Sequence, residues 1–135
     1  MQKTKEDDFI INVLSLVPEE SFSPVQMQKL FFLLEKRLGI GNFDFKAHHY
    51  GPYSRYLSAI LDFHDELEVI NINGITHYKI KESEIISNSN FLDENKRQFV
   101  VEMVKFVKSL SFKQLCMAIY KEFPDMAVNS IFFKK

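Results

Sequence analysis

The chain has one cysteine, Cys116, no tryptophan, and only four glycines and four prolines among its 135 residues. A lone cysteine excludes an intrachain disulfide and cannot supply a structural zinc site, so a reducing compartment is expected. The shortage of glycine and proline argues against a fold of many short strands with sharp turns and favours helices. Charge of one sign is also lacking. The formal net charge is −1, so the domain as a whole has no electrostatic pull on a polyanion. No apolar run reaches the roughly 18 residues that span a bilayer. The longest stretch, Phe99 to Leu110, is broken by Glu102, Lys105 and Lys108. The N-terminal Met1 to Asp8 is polar and acidic, without the apolar centre of a signal peptide. These readings lead to the expectation of a cytoplasmic chain with no membrane partner.

What is present is apolar mass. Hydrophobic residues make up 46% and charged residues 26%, with fourteen Phe and five Tyr. Burial on that scale can offset the entropy of folding, and it predicts a single domain, 1–135, with a Phe-rich core.

Periodicity divides the chain into helices and one clear hairpin. A first helix is expected from about Asp8 to Val17, with Phe9, Ile10, Val13, Leu14 and Val17 on one face and Pro18 ending it. A second begins where Ser23 caps, Pro24 takes the first turn and Gln26 completes a capping box. Its stripe is Met27, Leu30, Phe31, Leu34 and Leu38, and Gly39 and Gly41 stop it. Phe43, Phe45 and Ala47 alternate and suggest a short extended segment. Pro52 then opens a third helix over about Tyr53 to Leu67. Asn73-Gly74 between Val69–Ile72 and Ile75–Ile80 is a strong hairpin signal, because a type I′ turn needs positive φ at both central residues. Ser83 to Asn90 reads as a loop. A fourth helix, Asp93 to Leu110, carries a wide apolar face and is expected to pack centrally. Ser111 with Gln114 caps a fifth, which Pro124 ends, and a short last turn runs through Val128 to Phe133.

Three helices followed by a hairpin is the order of a winged helix. The expected fold is therefore mainly α (α+β): a winged-helix-like core over about 6–82, extended by two C-terminal helices over about 91–133.

Few residues are arranged for chemistry. His48 and His49 are adjacent on an expected extended segment, so they should point apart and not share an ion. Cys116 falls on the buried side of the fifth helix and reads as a small core residue. His64-Asp65 and Asp62 are expected on one helix, with no nucleophile in a recognisable pattern. Ser54 follows Gly51-Pro52-Tyr53, not the glycine-flanked elbow of hydrolases. There is no phosphate loop or dinucleotide fingerprint. The expectation is no enzyme, no cofactor and no metal.

Three patches carry a family resemblance. Ser23 to Leu33, with Gln28, Lys29 and Leu30 at its centre, resembles the "LQKLLYF" helix of the SocA-like antitoxin group, or Panacea domain. His49-Tyr50-Gly51-Pro52-Tyr53-Ser54 is similar to that group's "YGP" motif. Leu115 to Tyr120, then Pro124 and Ser130, is similar to the ending of related small bacterial proteins. Glu35 stands where the group's helix carries Gln, and Leu67-Glu68-Val69-Ile70 replaces its Gly-Leu-Ile. The resemblance implies a non-catalytic, protein-binding antitoxin or adaptor of a bacterial toxin–antitoxin or anti-phage system. Its partner would be a cognate toxin or effector, and the motif residues would be structural or partner-binding.

DNA is the alternative partner, as for other winged helices, with Arg55, Lys79 and Lys81 as the contacts. From Ser54 to Glu68, however, one base, Arg55, faces four acids, Asp62, Asp65, Glu66 and Glu68. A third helix so charged is expected to repel phosphate.

Overall fold

The computed structural model describes residues 3–87 and 89–133. Met1, Gln2 and Asn88, which belong to the N-terminal and loop readings above, lie outside them. Helix α1 (Lys5–Ser15) begins three residues before the expected Asp8. Thr4 and Asp7 form a capping box, in which the Thr4 hydroxyl accepts from the Asp7 amide at 3.2 Å and the Asp7 carboxylate accepts from the Thr4 amide at 2.8 Å. Helix α2 (Pro24–Leu38) follows its punctuation: Ser23 and Gln26 cap it reciprocally, and Gly39 closes it at φ 67°.

Two antiparallel hairpins follow. The first was legible only as an extended segment: β1 (Lys46–His48) pairs with β2 (Gly51–Tyr53), register Lys46 to Tyr53 and His48 to Gly51. The second, β3 (Leu67–Ile72) with β4 (Ile75–Ile80), turns on Asn73 and Gly74 at φ 52° and 82°, as the type I′ turn requires. Phe22, between α1 and α2, adds a bridge to β4 through two backbone bonds with Tyr78, at 2.9 and 2.8 Å. The hairpin is thereby stitched to the start of α2, in the position of a wing beside a helical body.

Between the hairpins lies α3 (Arg55–Phe63), and its limits correct the expected span of Tyr53 to Leu67. Gly51-Pro52-Tyr53 is strand, and Pro52 does not start the helix; Ser54 caps it, accepting from the Leu57 amide at 2.9 Å. At the other end His64 leaves helical geometry and Leu67 already belongs to β3. Helices α4 (Glu94–Ser109) and α5 (Phe112–Glu122) complete the body. Beyond α5, Pro124 opens a short 3-10 turn, Pro124–Ala127, and a second covers Ile131–Phe133. The fold is mixed α+β and mainly helical, and the expected order of three helices and then a hairpin holds with one addition, the short hairpin β1–β2 inserted between α2 and α3.

The central helix is α2, not α4 as the wide apolar face of the latter suggested. Eight consecutive residues of α2, Met27 to Leu34, are buried, so it is covered on every side. Phe31 meets Phe9 edge-on at 5.5 Å and Phe43 at 5.8 Å, in the middle of the Phe-rich core. Helix α4 covers one side of α2 with Val100, Val104 and Val107, while Phe106 is 43% exposed. The wider stripe of α4 is thus only partly used. Replacing Val104 with Ala should lower stability by about 2 kcal/mol, whereas Phe106→Ala should cost under about 1 kcal/mol, despite the larger truncation. Urea denaturation of the two variants checks which face is packed.

Candidate functional site

The buried stretch of α2 contains two polar residues, Gln28 at 5% and Lys29 at 3% exposure. Neither can be left without partners, because an unpaired buried polar group costs on the order of 1–3 kcal/mol. Both are answered by the segment that enters α3. The Gln28 amide donates to the Ser54 carbonyl at 3.0 Å and its oxygen accepts from the Ser54 amide at 2.8 Å. The Ser54 hydroxyl donates to the Phe43 carbonyl at 2.5 Å while capping α3. Ser54 therefore joins α2, the segment before β1 and α3, and its hydroxyl proton is already committed. Glu35 accepts from the Phe43 amide at 2.8 Å and fixes the same segment from further along α2.

Lys29 donates to the Pro52 carbonyl at 3.0 Å. No carboxylate among the described residues forms an ion pair with it. Burial lowers its pKa from 10.5 to about 8, against a smaller opposing pull from Cys116. Cys116 is itself fully buried, with its Sγ 3.5 Å from the Tyr50 carbonyl, and burial raises its thiol pKa.

The C-terminal elements close the other side of the corner. Gly51 has φ 93°, and a Cβ there would come within 3.1 Å of the Tyr120 ring, so both backbone angle and space demand glycine. Tyr120 is buried beside Ser130, with its hydroxyl lacking a well-formed hydrogen bond among the described residues. The Ile131 amide donates to the His49 carbonyl at 2.8 Å, and Asn129 donates to the Ala47 carbonyl at 3.1 Å. The residues of all three motif patches thus meet around β2. Leu30 and Pro124 are exceptions: Leu30 is fully buried in the core, and Pro124 is exposed at its turn.

Beside this corner opens a cleft of about 440 Å³. Lys29 and Gln28 line its inner side, and Val25, Leu61, Tyr53 and Tyr78 add to the wall. His48, His49 and Tyr50 also line it. The histidines correct one expectation: their rings do not point apart but lie 4.8 Å from each other, because His49 is already in the turn. Among the described residues no group of three or more His, Cys, Asp or Glu could hold a metal ion. Tyr50 also belongs to a half-exposed aromatic cluster, 5.0 Å from Phe112 and 6.2 Å from Phe132, with Lys113 over the Phe132 ring. Sequence reasoning missed the cleft. Its one legible signal was a lysine inside an apolar run that leaves no solvated face for it.

The expected nucleic-acid contacts are arranged differently. Arg55 is exposed at the first residue of α3. Lys79 stands directly across the hairpin from Glu68. Lys81 follows β4 and precedes the acidic turn Glu82–Glu84. The expected acidic third helix is also corrected. Within α3 only Arg55 and Asp62 are charged; Asp65 and Glu68 lie beyond it, and Glu66 is buried against Lys3 and His64. Helical spacing that continues to Leu67, four residues past the true end at Phe63, carries Asp65 and Glu66 into the expected helix, while Glu68 belongs to β3.

No family model matches the chain, and no curated protein or solved structure is significantly similar to it. No helix among the described residues is long and apolar enough to cross a membrane.

The state of Lys29 makes a stability prediction. With a native pKa near 8 and an unfolded value near 10.5, the native state binds fewer protons between these values. Wild-type stability therefore rises with pH across that window, by roughly 3 kcal/mol in all. In Lys29→Met this contribution is absent. The stability of the variant relative to wild type should fall by roughly 3 kcal/mol between about pH 7 and pH 10.5. A relative stability that is flat with pH in denaturant titrations would contradict a buried ammonium.

Proposed function

We propose that the chain is a non-catalytic, protein-binding module of the antitoxin or adaptor kind, acting in the bacterial cytoplasm on a cognate toxin or effector. The observation that carries this reading is the half-exposed aromatic cluster of Tyr50, Phe112 and Phe132, flanked by Ile131 and Phe133 at 46% and 57% exposure. Aromatic side chains left partly in water on a rigid support are the usual anchors of protein interfaces. The support here is held by two hydrogen bonds that tie the C-terminal turns to the first hairpin, one from the Ile131 amide to the His49 carbonyl and one from the Asn129 side chain to the Ala47 carbonyl. The resemblance to the SocA-like group points the same way, since its motif residues build this corner. The committed proton of Ser54 and the burial of Cys116 favour a binding role over a nucleophilic one.

The reading is tested by co-expression of the tagged chain with the products of neighbouring genes. One of them should copurify, and Tyr50→Ala or Phe112→Ala should weaken that complex at least about tenfold while changing stability by under about 1 kcal/mol. Capture of no neighbour, or capture indifferent to both substitutions, would contradict it.

A second reading, a winged-helix transcription regulator, is favoured by the placement of the hairpin through the Phe22 bridge and by the near-neutral α3. Against it stands the hairpin itself. Its outer part presents Val69, Ile72 and Ile75, and its lysine Lys79 is opposed by Glu68. A regulator would bind its own promoter with an affinity that falls steeply between about 50 and 200 mM salt. The protein-binding reading expects no such shift.

A further inference from the structure

The cleft beside β2 has an unusual combination of properties. Its volume of about 440 Å³ lies in the range of ligand sites, and none of the residues lining it is acidic. On its inner side lies a lysine that is 97% removed from solvent by its 3% exposure, with one backbone carbonyl as hydrogen-bond partner. An ammonium has three donors, so the Pro52 carbonyl leaves two unassigned. A cation buried without a counterion weakens the fold, and such a group is retained most readily where a ligand supplies the missing charge. The surrounding walls are apolar and aromatic, from Val25, Leu61, Tyr53 and Tyr78. The chemistry that completes the site is one negative charge on an otherwise apolar group.

We infer that the cleft receives the free C-terminal carboxylate of a partner polypeptide whose last residue is apolar, with Lys29 holding the carboxylate. One feature favours a polypeptide end over a small free acid. Tyr50 lines the cleft and also touches Phe112 and Phe132, so the cleft and the exposed aromatic cluster share this residue and adjoin there. A chain leaving the cleft would cross that cluster, whereas a small acid would leave it uncovered. The inference rests on the protein-binding reading and specifies what the partner presents.

The groups facing Lys29 set the pH behaviour. Cys116 from α5 acts on Lys29 directly, and the other titratable groups lining the same cleft are His48 and His49 from the first hairpin and its turn, Tyr50 and Tyr53 beside them, and Tyr78 from β4, on which Asp62 of α3 acts. Burial raises the Cys116 thiol and the Tyr78 hydroxyl above their ordinary values. Lys29 is therefore the group whose loss of charge above about pH 8 should release a carboxylate.

The test uses the full chain and short fluorescein-labelled peptides ending in Leu or Phe, each made with a free carboxylate and as the C-terminal amide, with 4-phenylbutyrate as the small acid. The free-acid peptides should bind at least about tenfold tighter than the amides. That preference should vanish in both Lys29→Met and Lys29→Gln, whose folding is checked by circular dichroism. Wild-type affinity should weaken as the pH rises from about 7 to 9.5. Equal binding of acid and amide, or an unchanged preference in folded Lys29→Gln, would overturn the inference. So would binding of 4-phenylbutyrate through Lys29 with no binding of peptides. A partner that still copurifies after two lysines are added to its C-terminus would sink this inference and leave the protein-binding reading intact. Peptide binding with no partner among the neighbours would do the reverse.

Discussion

The structure depends on one constraint: a helix buried on every side that carries two polar residues at its centre. Helix α2 is enclosed from Met27 to Leu34, and Gln28 and Lys29 lie within that stretch. Water is excluded there, so whatever packs against this part of α2 must present backbone donors and acceptors. The segment from Pro52 to Ser54 does so, with the Ser54 amide and carbonyl for Gln28 and the Pro52 carbonyl for Lys29. Helical packing alone could not satisfy them, because helices keep their backbone groups for themselves.

The rest of the corner follows from holding that backbone in place. A Pro52 carbonyl turned towards Lys29 and free of any bond within its own element suits a strand edge, not a helix, and a short hairpin supplies it. The turn needs positive φ at Gly51, and the absent side chain there admits the ring of Tyr120. The ring brings α5 against the hairpin, and the chain after α5 is then close enough to bond back to Ala47 and His49. One pair of polar residues thus organises contacts from the second helix to the last turn. The burial that makes Gln28 and Ser54 a structural joint leaves Lys29 with a charge that no carboxylate among the described residues balances. The same corner is therefore both a fold determinant and the place where a buried cation lines a cleft.

Much of the fold was legible in the amino-acid pattern. Ser23-Pro24 and Gly39 delimit α2 through local capping chemistry, and Asn73-Gly74 sets the hairpin through its backbone angles; neither depends on distant contacts. The failures have a tertiary origin. Tyr53 to Leu67 keeps helical spacing of apolar residues, yet Ser54 is a better cap than Pro52 is a first turn, and Leu67 is taken by pairing with Ile80. The apolar face of α4 looked central because periodicity measures width and not what lies opposite. The motif residues were recognised by resemblance, but Lys29 as the inner wall of a cleft was not. Its neighbours His48, Leu61 and Tyr78 come from three separate elements, and no local pattern links them.

These points share one physical premise, that Lys29 lies in the interior as an ammonium without a counterion. The direct observation is the titration of its own Cε resonance by NMR, using lysine labelled with carbon-13 and assigned through Lys29→Gln. A midpoint near 8 is the result this account requires. A midpoint near the ordinary lysine value of about 10.4 would place Lys29 in water or beside an unseen acid and would contradict it.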